Sequence, residues 1–360
     1  MDRNVKLFHQ GAMDLHLPCT YIPELGYLRV ELGRKHYYFV YSISPMNQGA
    51  SVYLSKHKYA LNKLLQRAGF PVPKATAFNK ERWSQKPLDQ LVKHLNFPLV
   101  AKPMMNTVRG KDVLCNIQDL EMLSTYLSTF FDKYKYVQIE EFHTNLKEYR
   151  VLILKNRVIG VLERTAAHLV GDGIHNVEEL IEIRNAERIR LSKELTISPL
   201  KFDIEHQNCL KEQGLSLQSI IPEGHKIRLG YTVNTGRDGD IFSLGKKIHP
   251  TNAKHLCQAA QVIGLNYVGF DVLCENINVP FRPNRWIIIE ANYCADTTLH
   301  EIPNQGIRAV VTKKILKQLI YRHPLSYFYH LCLRSRLSIY FKSGMMTLLV
   351  LSLIISSFIR

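Results

Sequence analysis

Polar and apolar residues alternate over residues 27–32, and a second β-rich run follows at 36–41 across Gly33-Arg34-Lys35, which predicts a hairpin. Ser55 reads as an N-cap. The apolar positions Tyr59, Leu61, Leu64, Leu65 and Ala68 then recur at helical spacing, until Gly69 and Pro71 stop the helix. Residues 97–142 read as strand, loop, strand, helix, strand: a buried strand at 97–103 containing Lys102, an amphipathic helix at 119–131 and a strand at 136–142. Further strands are predicted at 149–154, 158–162, 267–273 and 286–291, with a polar helix near 177–195. Residues 345–359 form one uncharged, strongly apolar run. The chain contains no internal repeat and no low-complexity segment.

The 360 residues are 46% apolar and 22% charged, which fits two or three folded lobes and excludes a disordered, collagenous or single small binding module. The formal net charge is +16, unevenly placed. No acidic residue follows Glu301, so Arg308, Lys313, Lys314, Lys317, Arg322, Arg334, Arg336, Lys342 and Arg360 supply more than half of it. The remainder is ordinary for a protein handling phosphate-bearing ligands. The basic cluster lacks interleaved stacking aromatics, so nucleic acid is not an expected partner. Seven cysteines stand singly without a CxxC pair or an N-terminal secretory signal, which predicts reduced thiols in the cytoplasm. No His pair has zinc-site spacing.

Four sets of residues carry candidate chemistry. Lys102 stands at the end of a buried strand, before a loop containing Gly110, where an ammonium can reach a phosphate; taken alone, a lysine at a strand end is more often a solvated edge. Glu140-Glu141-Phe142, followed by Glu148-Tyr149-Arg150, offers a strand edge for an adenine and a carboxylate for ribose hydroxyls, or else an acidic solvated hairpin. Asp271, Glu290 and Asn292 end apolar strands on same-facing positions and present hard oxygen ligands suited to Mg²⁺, unless the carboxylates are paired with Arg or Lys. Arg228 precedes the polar turn Thr232-Val233-Asn234-Thr235-Gly236, where a guanidinium can stabilise charge on a transferred phosphoryl group or remain a surface arginine.

In this order, Ser55-Lys56-His57-Lys58 through Gly69-Phe70-Pro71-Val72-Pro73, Pro98-Leu99-Val100-Ala101-Lys102-Pro103, Glu140-Glu141-Phe142 and Glu148-Tyr149-Arg150 resemble the ATP-grasp fold. Glu163-Arg164-Thr165-Ala166-Ala167-His168-Leu169-Val170-Gly171-Asp172-Gly173, with Asn176-Val177-Glu178-Glu179-Leu180-Ile181, is similar to the ATP-grasp domain of cyanophycin synthetase and of the bifunctional glutamate-cysteine ligase/glutathione synthetase. The resemblance covers about residues 55–306. It implies an α+β chain with two α/β lobes that hold ATP between antiparallel sheets.

The implied activity is that of an ATP- and Mg²⁺-dependent carboxylate-amine ligase. It would join a small, amino-acid-like acid to an amine through an acyl phosphate and release ADP and phosphate. Carried over by position, Lys58 and Lys102 contact phosphates, Glu140 and Glu141 lie at the adenine edge, and Glu148 lies at the ribose; Gly110, the glycine of the loop after Lys102, is a further cofactor-binding candidate. Asp271, Glu290 and Asn292 take Mg²⁺, and Arg228 is the catalytic residue beside the acyl phosphate. Arg109 and Lys111 stand where the family usually has loop glycines, and Thr232 and Arg237 replace an asparagine and a glycine near Arg228. A nucleotide-binding protein without ligase turnover is therefore the alternative.

The expected organisation is a β-rich segment at 1–54, a linker helix and small lobe at 55–135, a large lobe at 136–320 and a basic, hydrophobic tail at 321–360. That tail is expected to attach the chain to the cytoplasmic face of a membrane. A C-terminal helix packed on the protein's own core or on a second subunit is the other reading.

Overall fold

The computed structural model describes residues 1–105, 112–231, 233, 239–334 and 337–359, with side chains through 356. Its contacts divide into two units. One comprises residues 1–46, 296–298 and 310–360, and the other residues 47–295 and 299–309.

In the first unit, strands β1 (Cys19–Ile22), β2 (Tyr27–Leu32) and β3 (Lys35–Phe39) form an antiparallel sheet in that order. The predicted hairpin is β2–β3, turned at Gly33, whose positive φ of 64° suits glycine. Leu28, Val30 and Leu32 alternate inward on β2 and bury fully. Helix Arg3–Asp14 covers them with Val5, Phe8 and Ala12, and the Phe8 and Phe39 rings stand 4.6 Å apart. Asp2 caps this helix by accepting from the Asn4 and Val5 amides. Gly11 lets helix Thr312–Arg322 approach closely, since a Cβ there would lie 3.1 Å from Leu316.

The second unit begins with helices Gly49–Lys56 and Lys58–Arg67. Ser55 is not the N-cap that the sequence suggests. It lies inside the first helix with its hydroxyl on the Val52 carbonyl, and His57 breaks the path at ψ 87° and caps the second helix through the Ala60 amide. Strands β4 (Ala75–Asn79), β5 (Leu99–Pro103), β6 (Leu114–Ile117) and β7 (Tyr136–Glu141) form an antiparallel sheet of order β4-β7-β5-β6. Leu99, Ala101, Val137 and Ile139 face helix Leu120–Phe130, which matches the predicted amphipathic helix and which Asp119 caps by accepting from the Met122 amide. By alternation, Lys102, Gln138 and Glu140 share the opposite face.

The large sheet contains β8 (Lys147–Leu154), β9 (Arg157–Thr165), β12 (Asp240–Gly245), β13 (Tyr267–Cys274), β14 (Trp286–Asn292) and β15 (Gln305–Ile307), in the order β14-β13-β8-β9-β12-β15. All its pairings are antiparallel except β12 with β15. Tyr149, Val151, Ile153, Phe270, Val272 and Ile288 bury one face against Leu61 and Leu65 and against Leu256, Ala259 and Ile263 of helix Pro250–Ile263. That helix starts with Pro250 after the cap His249 and ends at the left-handed Gly264. A ribbon of β10 (His168–Val170) and β11 (Lys226–Arg228) packs with helices Val177–Leu191 and Ile204–Glu212 around a separate apolar cluster.

Candidate active site

Cross-strand register builds the charged face of the large sheet. Asp271 pairs with Glu290 on β14 and with Arg150 on β8, while Glu148 on β8 pairs with Arg164 on β9. Arg150 grips Asp271 through both carboxylate oxygens, with Nε to Oδ1 and Nη2 to Oδ2 each at 2.7 Å. Arg164 Nη1 lies 2.8 Å from Glu148 Oε1 and 3.2 Å from Asp271 Oδ2. Asn292 donates its amide to Asp271 Oδ2 at 3.2 Å. Bidentate and charge-assisted bonds of this kind compensate the burial of these ions.

The electrostatics follow from that packing. Burial raises the Glu148 carboxyl to about 7, with Asp271 adding and Arg164 opposing. Burial acts on Asp271 in the same direction, but Arg150 and Arg164 together hold it below the ordinary carboxylate range. Arg164 Nε is buried and has no hydrogen-bond partner among the described residues, so this guanidinium retains a donor for an incoming anion.

On the small sheet, Lys102 Nζ lies 2.5 Å from Glu140 Oε1, and Gln138 Nε2 donates to Glu140 Oε2 at 2.8 Å. Lys102 and Glu140 are both nearly fully buried. Lys58 joins them from the start of its helix, with Nζ 3.8 Å from Glu290 Oε1. Burial, with Lys102 adding, lowers the Lys58 ammonium against the pull of Glu290 and Glu140. Lys58 thus stands between the Lys102–Glu140 pair of the small sheet and Glu290 in the charged row of the large sheet, within one unit.

The site differs in several particulars from what the sequence suggests. The Glu140 carboxylate engages Lys102 and Gln138, and the Glu141 side chain turns away to accept from the Asn96 amide and side chain at 3.0 and 2.9 Å. β7 runs between β4 and β5 and is not an edge strand, so an adenine could meet its backbone only past Glu141. Asp271 is paired with arginine and Glu290 with Lys58, the alternative left open for these carboxylates, while Glu148 lies against Arg164 and not on an acidic solvated hairpin. The sequence analysis assigns no role to Arg150 or Arg164, although both stand inside the motifs Glu148-Tyr149-Arg150 and Glu163-Arg164-Thr165 that carry the resemblance. Gly110 lies outside the described residues.

Arg228 stands apart from this row. It stacks over Tyr231 with its guanidinium carbon 4.3 Å from the ring centre, and Nη2 lies 3.7 Å from Glu212 Oε2. Tyr231 in turn meets the ring of Phe142 edge-on at 5.3 Å. Arg228, Lys226 and His168 line a cavity of about 480 Å³ with Thr165, Ala166 and Gln213. Thr165 directly follows Arg164 in β9.

The donor set bears on a metal. Glu290 and Asn292 offer hard oxygens on one strand, and Glu290 is a third exposed, so both fit an octahedral hard cation. Asp271 fits only in competition with its two arginines. Among the described residues there is no cluster of three His, Cys, Asp or Glu that could hold a metal.

No family model matches the chain. It is 29% identical over 272 residues to cyanophycin synthetase of Crocosphaera subtropica, covering 75% of this chain and 31% of that protein. It is 28% identical over 275 residues to the glutathione biosynthesis bifunctional protein GshAB of Pasteurella multocida, covering 74% of this chain and 35% of that protein. This chain therefore spans only about a third of the length of these curated relatives. The crystal structure of a bifunctional glutathione synthetase from Pasteurella multocida superposes with a TM-score of 0.61 at 22% identity, covering 89% of this chain and 44% of that one. The chain has the ATP-grasp fold, and its sequence is similar over about three quarters of its length to ligases of that fold.

Proposed function

We propose that the chain is an ATP-dependent carboxylate-amine ligase acting on small, amino-acid-like substrates. The observation that carries this reading is that Lys58, beside the buried Lys102–Glu140 pair, reaches Glu290 in the row Glu148, Arg150, Arg164, Asp271, Glu290 and Asn292. Lys102, held by Glu140, and Lys58 neutralise ATP phosphates. The adenine packs past Glu141 near Phe142, and Glu148 lies toward the ribose. Mg²⁺ at Glu290 and Asn292, with Asp271 adjoining, would screen phosphate charge and orient the γ-phosphate. Arg164 turns its remaining donor toward the transferred phosphoryl group.

The acid sits in the cavity lined by Arg228, whose guanidinium holds the substrate carboxylate for attack. A carboxylate oxygen bonds to the γ-phosphorus as the bond to the β-bridging oxygen breaks, giving an acyl phosphate and ADP. The amine then attacks the acyl carbon, phosphate leaves, and the nitrogen loses a proton to give the amide.

Turnover of acid and amine pairs should therefore release ADP and phosphate in equal amounts. Stoichiometric AMP and pyrophosphate would refute the acyl-phosphate route. For Arg228→Met we expect kcat/KM for the acid to fall by about 10²-fold while the KM for ATP is unchanged. A rise confined to the KM for ATP would put this arginine on the nucleotide instead.

A further inference from the structure

The charged site uses none of the residues after Arg322, yet these include helix Ser338–Ile359, the longest in the chain at 22 residues. Over Ser338–Ser356 its mean hydropathy is 1.7, with no part buried. Leu348, Leu349, Val350 and Leu351 are 68, 58, 50 and 48% exposed. Successive helical residues point about 100° apart, so these four face every direction. A helix that docks on a protein partner shows an apolar stripe and a polar remainder, and one that is apolar all round is buried in a core or in lipid.

The few polar groups agree with lipid. Thr347, Ser352 and Ser356 turn their hydroxyls onto their own helix, donating to the carbonyls of Ser343, Leu349 and Leu353 at 3.0, 2.8 and 2.8 Å. Hydroxyls satisfied internally need no water. At 1.5 Å per residue the helix is about 33 Å long, against about 30 Å for a hydrocarbon core. Lys342 stands one turn inside, within snorkelling reach of an interface, and Tyr340 beside it is 74% exposed. Phe328 and Tyr329 on the preceding helix Pro324–Leu333 are exposed and suit an aromatic interfacial belt, while Tyr327 turns inward to donate to the Leu15 carbonyl. Arg322, Arg334, Arg336 and Lys342 lie in a stretch of sequence without acidic residues, since none occurs after Glu301.

We propose that helix Ser338–Ile359 spans a lipid bilayer, with its basic Lys342 end among anionic headgroups. All-round apolarity sets the insertion, and the flanking charge sets the choice of lipid. This inference is independent of the ligase reading.

The test uses the full chain, purified in detergent and reconstituted with vesicles of phosphatidylcholine alone or with about one third phosphatidylglycerol added. The protein should float with both vesicles and resist alkaline carbonate. Leu349→Arg with Leu353→Arg should stay with the soluble fraction, because each central charge lowers partitioning on the order of 100-fold. Arg334→Gln with Lys342→Gln should still float but lose about fivefold per residue of the preference for phosphatidylglycerol. Release of the wild-type chain by carbonate or salt would overturn the spanning helix in favour of a surface helix. A wild-type chain that ignores vesicles and instead forms a stable dimer abolished by the Leu349 and Leu353 changes would overturn the proposal altogether. An unchanged lipid preference in the Arg334 and Lys342 variant would overturn its headgroup half.

Discussion

Lys102→Met should lower kcat/KM for ATP by about 10²–10³-fold, the usual consequence of removing a fixed charge from a developing phosphate anion. Lys102 also compensates the buried Glu140 carboxylate at 2.5 Å. Its loss should therefore cost about 3–5 kcal/mol of stability, the penalty for leaving one buried ion unpaired. The two effects separate in the double variant Lys102→Met with Glu140→Gln. A neutral amide in place of the orphaned carboxylate should restore much of the melting temperature and none of the turnover. Calorimetry and ADP release on the same samples read both. If the double variant regained turnover, Lys102 would be a packing residue and not a phosphate ligand.

Asp271→Asn removes the carboxylate that two arginines share. The isostere keeps shape and leaves Arg150 without its bidentate acceptor and Arg164 with the Glu148 carboxylate and the Val233 carbonyl. We expect about 3–5 kcal/mol of destabilisation and, at roughly 2–4 °C per kcal/mol for a unit of this size, a fall in melting temperature on the order of 10 °C. Turnover should drop by about 10²-fold or more as Arg150 and Arg164 lose their orientation. Raising Mg²⁺ should not rescue it. Saturating Mg²⁺ that restored Asp271→Asn, with the melting temperature at the wild-type value, would make Asp271 a metal ligand first and sink the account of it as the anchor of the arginines.

The ion row also explains why the large-sheet strands look as they do. β8 and β13 are buried on both faces, so a simple alternation of polar and apolar residues is absent. Glu148, Arg150 and Asp271 are instead polar interruptions in otherwise apolar runs. Tyr149, Val151 and Phe270 go to the helix side, and the ions go to the site side. A one-residue slip of β8 against β13 would bury Arg150 among Val268, Phe270 and Ile288. Register and site are therefore the same constraint.

Local pattern alone was sufficient for the hairpin β2–β3, the helix capped by Asp119, the strands carrying Lys102, Asp271 and Glu290, and the all-round apolar run near the C-terminus. Each follows from periodicity, caps or glycine conformation, which act within a few residues. The motif order of the site was also legible, because the groups lie at strand ends. Helices Arg3–Asp14, Ile204–Glu212 and Pro250–Ile263 went unassigned, their apolar positions being interleaved with polar ones that only tertiary contacts sort. The pairings were not legible at all. That Asp271 meets Arg150 depends on how β13 aligns with a strand more than a hundred residues earlier, that Glu141 turns outward depends on Asn96, and that Arg228 sits with Tyr231 depends on where β11 leaves the ribbon. Side-chain partners are set by register between distant strands, and register is decided by the burial of whole faces.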